Sequence, residues 1–177
     1  MKHHVKVGKF KQVFKGKIFT ISQAKAIMPS GKVHIYEMAK RMPVAMVFAL
    51  DKGKIIITKE YRFNEKRFMW WIPGGFFDEK EKPEDAARRE LLEETGYYAK
   101  KLKLLAHTKG STIEDFPYYY FLATDLEKRK KHLDDSEEIR VYHKTLDEIF
   151  EMVLKGEFTH ERHVFAIMRL YGYLKKK

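Results

Sequence analysis

Three glutamates carry the clearest chemical possibility in this chain. Glu90, Glu93 and Glu94 stand at i, i+3 and i+4. On a helix, at about 100° per residue, they share one face within an arc of about 100°. Like charges at that spacing repel by a few tenths of a kcal/mol per pair. A divalent cation reverses the sign of that interaction, and hard oxygen donors suit Mg²⁺ or Mn²⁺. The plainer reading is a solvated acidic face, with Arg88 and Arg89 beside it to pair with the carboxylates. The surroundings weigh against the plainer reading. Gly74 and Gly75 permit close backbone approach upstream, and Glu81 lies in the loop that leads from them to the helix.

From Gly75 the chain reads glycine, five residues, Glu81, seven residues, Arg89-Glu90-Leu91, one residue, Glu93-Glu94, one residue, Gly96-Tyr97. This resembles the Nudix box, G-x5-E-x7-R-E-U-x-E-E-x-G-U with U a bulky aliphatic residue, at eight of nine defined positions. Tyr97 replaces the last aliphatic residue. The resemblance implies an α/β (α+β) fold, an α/β/α sandwich around a curved mixed β-sheet. It implies Mg²⁺-dependent hydrolysis of a nucleoside diphosphate linked to another group, with Mn²⁺ as the alternative metal. By position, Glu90 and Glu94 become the principal metal ligands and Glu93 lies close to them. The backbone carbonyl of Gly74 becomes a further donor, Arg89 orients the glutamates, and Glu81 supports the loop. The physical logic agrees. Anionic phosphate oxygens repel a nucleophile, and a metal neutralises them and acidifies water.

A weaker resemblance runs along most of the chain. Phe19, Glu37, Pro43-Val44-Ala45, Lys59-Glu60-Tyr61-Arg62 and Trp71-Ile72-Pro73-Gly74-Gly75 occur in the order seen in ADP-ribose and related nucleotide-sugar pyrophosphatases. That group implies substrate contacts at Arg62, Glu37 and Phe19. A guanidinium binds phosphate oxygens bidentately; a strand-end surface arginine is the alternative for Arg62. The group also implies a catalytic base on a late acidic loop, here Asp134-Asp135-Ser136-Glu137-Glu138. Glu137 is the candidate for a further metal ligand or the base, and Asp135 for the base. One departure concerns substrate: a proline common about 15 or 16 residues past the box is absent, the nearest being Pro117. Other nucleotide sugars therefore stay open, and separately a dinucleoside polyphosphate, a nucleoside triphosphate or a capped RNA stays open as substrate. So does a non-catalytic RNA-binding module.

These residues need elements to hold them. Pro83 to Glu94 reads as a helix, with proline and acids in its first turn and Gly96 just past its end. Val44 to Leu50 and Lys54 to Thr58 flank Asp51-Lys52-Gly53 as a hairpin, and their unbroken apolarity predicts burial on both faces. Further strands are expected at Lys103 to His107, Tyr118 to Ala123 and Ile139 to His143, and helices around Leu146–Leu154 and His160–Leu174. His160 and His163 read as ordinary helix surface. Residues 1–43 read as a β-rich, dimer-forming arm, and residues 44–177 as the catalytic domain.

Composition sets the outer limits. With 177 residues, one domain is expected. The charge of +11 favours anionic partners, either a phosphorylated small molecule or, less favoured, nucleic acid. No cysteine is present, so disulfides and thiolate metal sites are excluded, which fits a cytoplasmic protein. No apolar run reaches the roughly 18 residues of a membrane span, and no signal peptide is evident. A homodimer is the expected assembly.

Overall fold

A computed structural model of the protein describes residues 4–78, 80–130 and 138–175. In chain order the elements are β1 (Lys6–Val7), β2 (Lys11–Lys15), β3 (Thr20–Ile27), β4 (Val33–Lys40), β5 (Val44–Asp51), β6 (Lys54–Arg62), β7 (Arg67–Trp71) and β8 (Gly74–Phe76). Then follow α1 (Pro83–Thr95), β9 (Tyr97–Thr108), β10 (Glu114–Asp115), β11 (Tyr118–Lys128), β12 (Ile139–Lys144), α2 (Leu146–Leu154) and α3 (Glu161–Leu174). They form two compact units, Met1–Pro43 with Thr108–Pro117, and Val44–His107 with Tyr118–Lys177.

The first unit is a sheet in which β1, β3, β4 and β10 are neighbours in that order and β2 pairs with β3. The β2–β3 and β3–β4 pairs are antiparallel hairpins. Gly31 has φ 82° in the second turn, a conformation glycine adopts without steric cost. The parallel pairing of β10 with β4 was not foreseen. It brings the loop after β9 into this sheet.

The second unit carries the mixed sheet β12-β6-β5-β11-β9, with β7 on β6 and β8 on β5. The Lys52-Gly53 turn has φ 48° and 80°, the two positive values that a two-residue hairpin matched to strand twist requires. Strand β5 is buried along most of its length. Its alternate residues Ala45, Val47 and Ala49 pack with Ala86, Ala87 and Leu91 of α1 and with Phe121 and Ala123 of β11. Its other set, Met46 and Phe48, points to the opposite face. There Tyr120 of β11 meets Phe165 of α3 at 5.5 Å between centroids. The continuous apolar run is therefore covered on both faces, as expected. No described helix is long and apolar enough to cross a membrane.

Local chemistry sets the helix ends. Helix α1 has proline in its first turn, Glu84 and Asp85 near its positive end, and Gly96 at φ 77° donating to the carbonyl of Leu92. Helix α2 starts in a capping box, with the Thr145 side chain and Glu148 satisfying each other's backbone N–H.

His163 corrects the surface reading of α3. It is 1% exposed, on the same helical stripe as Ala166, Ile167 and Leu170. Its ring stands edge-on to Trp71, 3.9 Å between centroids. Burial, then the neighbouring His160 and Arg62, hold its pKa well below the usual 6.5. The folded protein thus keeps His163 neutral where the unfolded chain binds a proton, so stability falls as pH drops below about 6.5. Unfolding free energies of wild type and His163→Phe from urea titrations, compared from pH 7.5 to 5, should diverge by up to about 1.4 kcal/mol per pH unit below that point. Parallel pH profiles would mean that His163 titrates freely in the folded state.

Candidate active site

The box spans the end of β8, the connecting loop and α1. Arg89 sits at its centre. Its Nε and Nη2 donate to the two carboxylate oxygens of Glu81 at 2.9 and 3.0 Å. Nη1 donates to Glu90 at 2.7 Å and to Glu93 at 3.1 Å. Nη2 also donates to the carbonyl of Phe76 at 3.2 Å. One planar cation thus joins three carboxylates and the loop backbone, a geometry that lysine's point charge would not reproduce. The hydrogen bonds that Arg89 donates to Glu81 raise its pKa first, against the opposing effect of burial, and the Glu90 charge adds to them. Arg88 does not serve the glutamates; it donates to Asp85 and to the carbonyl of Ala99.

Two glycines set where the remaining carboxylates lie. Gly74 has φ 152°, and a Cβ there would overlap the carbonyl of Ala45 on β5. A Cβ on Gly75 would overlap the carboxylate of Glu90. The N–H of Gly74 donates to Glu94 at 3.0 Å. Glu90 and Glu94, one turn apart on α1, therefore both reach the same glycine pair. Glu94 is 5% exposed, and burying a carboxylate is tolerated when it is paired or hydrogen-bonded. Glu93 is turned to Arg89 and is less buried, its side chain 42% exposed. Among the described residues no three His, Cys, Asp or Glu side chains close on one point. The backbone gathers a pair, not the whole triplet. That pair of hard anionic carboxylates fits a divalent cation of the Mg²⁺ type.

Arg62, the last residue of β6, lies 3.5 Å over the face of Trp71 and 3.4 Å from the Glu60 carboxylate. These residues line a cleft of about 620 Å³ together with Asn64, Glu138 and His160. Trp71 precedes Gly74 by three residues, roughly 11 Å at full extension. The cleft and the glutamate pair are therefore neighbours along the chain. Asp135 and Glu137 lie outside the described residues, but the next residue, Glu138, accepts at its carbonyl from Tyr61 N–H. Glu37 and Phe19 belong to the first unit. Glu37 accepts from Gln23 at 2.6 Å. Phe19 is 42% exposed and its ring meets Phe116 at 5.7 Å.

The sequence reading missed Glu60, Trp71 and His160. Glu60 and Trp71 lie in quoted motifs, yet only the pairing of β6 with β7 and the start of α3 show that they meet Arg62 and His160.

The NUDIX domain family model matches residues 40–166. The chain belongs to the Nudix hydrolase family. It is 35% identical over 163 residues to an ADP-ribose pyrophosphatase of Bacillus subtilis (strain 168), covering 90% of this chain and 88% of that one. It is 25% identical over 166 residues to a methanol dehydrogenase activator of Bacillus methanolicus, covering 92% and 90%. Among solved structures it resembles an ADP compounds hydrolase, with TM-score 0.86 at 20% identity over 97% of this chain and 95% of that one. This last likeness establishes the mixed α+β Nudix fold. Nudix hydrolases act on nucleoside diphosphate derivatives and depend on a divalent metal.

Gly75→Ala isolates the role of the glycine pair in this Nudix hydrolase. Because the added methyl meets a side-chain end, the fold should survive while Glu90 is displaced. Turnover should fall at least 100-fold with a near-native melting temperature. Retained turnover would show that Glu90 does not need its observed place.

Proposed function

We propose that this enzyme hydrolyses ADP-ribose or a closely related nucleotide sugar, with Mg²⁺, to AMP and a sugar phosphate. The observation that carries the reading is the 35% identity to an ADP-ribose pyrophosphatase along nearly the full length of both chains. A match over 90% of this chain cannot leave out the box or the whole of the N-terminal arm.

Each residue has a role in this reading. Glu90, Glu94 and the Gly74 carbonyl hold the metal, with Glu93 beside them and Glu137 as a further ligand. When bound, a divalent cation neutralises diphosphate oxygens and makes a coordinated water more acidic. Arg89 keeps Glu81, Glu90 and Glu93 in place. Arg62 contacts the diphosphate, while Glu37 and Phe19 contact the nucleoside. Water forms a new bond to one phosphorus and the bond from that phosphorus to the bridging oxygen breaks. Asp135 or Glu137 accepts the water's proton, and the bridging oxygen leaves with the other phosphate.

Residues 1–43 form a homodimer arm in the same reading. Their sheet exposes Val7, Val13, Phe14, Val33 and Ile35, each more than half accessible. Apolar surface of that kind marks an association site.

A substrate panel with Mg²⁺ tests the proposal, using protein whose sedimentation mass is expected to be twice 21.2 kDa. ADP-ribose should yield AMP and ribose 5-phosphate, with at least tenfold lower kcat/KM on nucleoside triphosphates, dinucleoside polyphosphates and capped RNA. Preferred turnover of any of those three would overturn the substrate assignment. A monomer at micromolar concentration would overturn the arm's role.

A further inference from the structure

The arginines of the second unit are paired with acids, with one exception. Every one but Arg169 has a carboxylate within 3.7 Å. Arg169 has none among the described residues. It stands next to Met168 on α3, and Gly172 and Tyr173 follow one turn later on the same flank. That flank lies outside the buried stripe of His163, Ala166, Ile167 and Leu170. Beside it runs β9, the strand at which the sheet ends. Between them is a groove of about 390 Å³, lined by Lys103 and Leu104 of β9 and by Met168, Arg169, Gly172 and Tyr173 of α3. Its volume falls within the roughly 300–1,000 Å³ of small-molecule sites.

Lys103 is held in place at this groove. Its Nζ donates to the Tyr173 hydroxyl at 3.0 Å and lies 4.6 Å from the centroid of that ring. An ammonium has three donors, so two remain for a ligand. Arg169 brings a planar fork of N–H donors. Among the described residues no carboxylate lines the groove. Two cations on one concave surface raise the local positive potential, and an anion relieves it. A phosphate monoester, with three acceptor oxygens, uses more of these donors than a carboxylate does. Beyond the cations the wall turns apolar: Leu104 and Met168 are each about half exposed. A thioether makes favourable contacts with aromatic rings, so this wall suits a flat aromatic body better than a sugar. Gly172 keeps the groove open, since a Cβ there would meet nothing within 4 Å. Phosphate joined to an aromatic ring system is the chemistry of a nucleotide.

We propose that the groove between β9 and α3 is a second nucleotide site, in which Lys103 and Arg169 hold the phosphate of a nucleoside monophosphate and Leu104 and Met168 carry its base. The site is separate from the cleft at Arg62. The two share no lining residue. Strands β11 and β5 intervene between β9 and β6, a separation of three strand spacings or roughly 14 Å. Binding in the groove does not depend on which substrate the box hydrolyses.

Calorimetric titration with AMP in the absence of divalent metal reads the site without turnover. Arg169→Gln should weaken AMP binding at least tenfold, the worth of a hydrogen bond to a charged group, with an unchanged melting temperature. Gly172→Leu should block the groove and abolish binding. Its melting temperature should equal or exceed that of wild type, because leucine favours a helix more than glycine does. Arg62→Ala, which alters the other cleft, should leave this binding within twofold. Inorganic phosphate should displace AMP, and adenosine, which lacks the phosphate, should not bind. No AMP binding by wild type, binding unchanged in Arg169→Gln and Gly172→Leu, or binding lost only in Arg62→Ala would overturn the assignment. An Arg169-dependent complex with a 5′-phosphorylated RNA oligonucleotide, where AMP alone does not bind, would also overturn it and give the groove to RNA.

Discussion

Three carboxylates converge on the Arg89 guanidinium, and without it they would repel one another. Glu81 from the loop and Glu90 and Glu93 from α1 all reach it within 3.1 Å. Its hydrogen bonds to Glu81 raise its pKa further, so the cationic half of the clamp is permanent. The bond to the Phe76 carbonyl ties β8 to the same point. The helix and its preceding loop are thereby locked as one body. The rotamers of Glu81, Glu90 and Glu93 are set before a ligand arrives.

The sheet supplies the other half of the constraint. Gly74 lies against Ala45 of β5, which is itself buried between α1 and the strands around it. Only a residue without Cβ permits that approach. The approach lets the Gly74 N–H meet Glu94 and leaves room at Gly75 for Glu90. Core packing of Ala86, Ala87 and Leu91 fixes the rotation of α1, and so the direction of its acidic face. Glu90 and Glu94 lie on that same inward stripe, so its packing also directs them toward the glycine pair.

What was legible in the sequence is what is local. A first-turn proline, a left-handed glycine and helical spacing fix α1 and its carboxylates within 23 residues. The unbroken apolar run of β5 likewise announced a strand covered on both faces. The cleft was not legible, because Arg62 and His160 lie about a hundred residues apart and meet only through strand pairing and the docking of α3. His163 was read as surface because Glu161 and Arg162 beside it are charged. Its spacing to Ala166, Ile167 and Leu170 held the correct answer. Glu114 and Asp115 have no strand propensity, and they pair with β4 through backbone groups that any residue offers.

The central claim is that Glu90 and Glu94, presented at Gly74 and Gly75, hold the divalent cation. Electron paramagnetic resonance of free Mn²⁺ measures this directly, without substrate. Titration of wild type, Glu90→Gln and Glu94→Gln should show at least tenfold weaker binding in either variant, about 1.4 kcal/mol. Mn²⁺ binding that is unchanged in both variants would contradict the account.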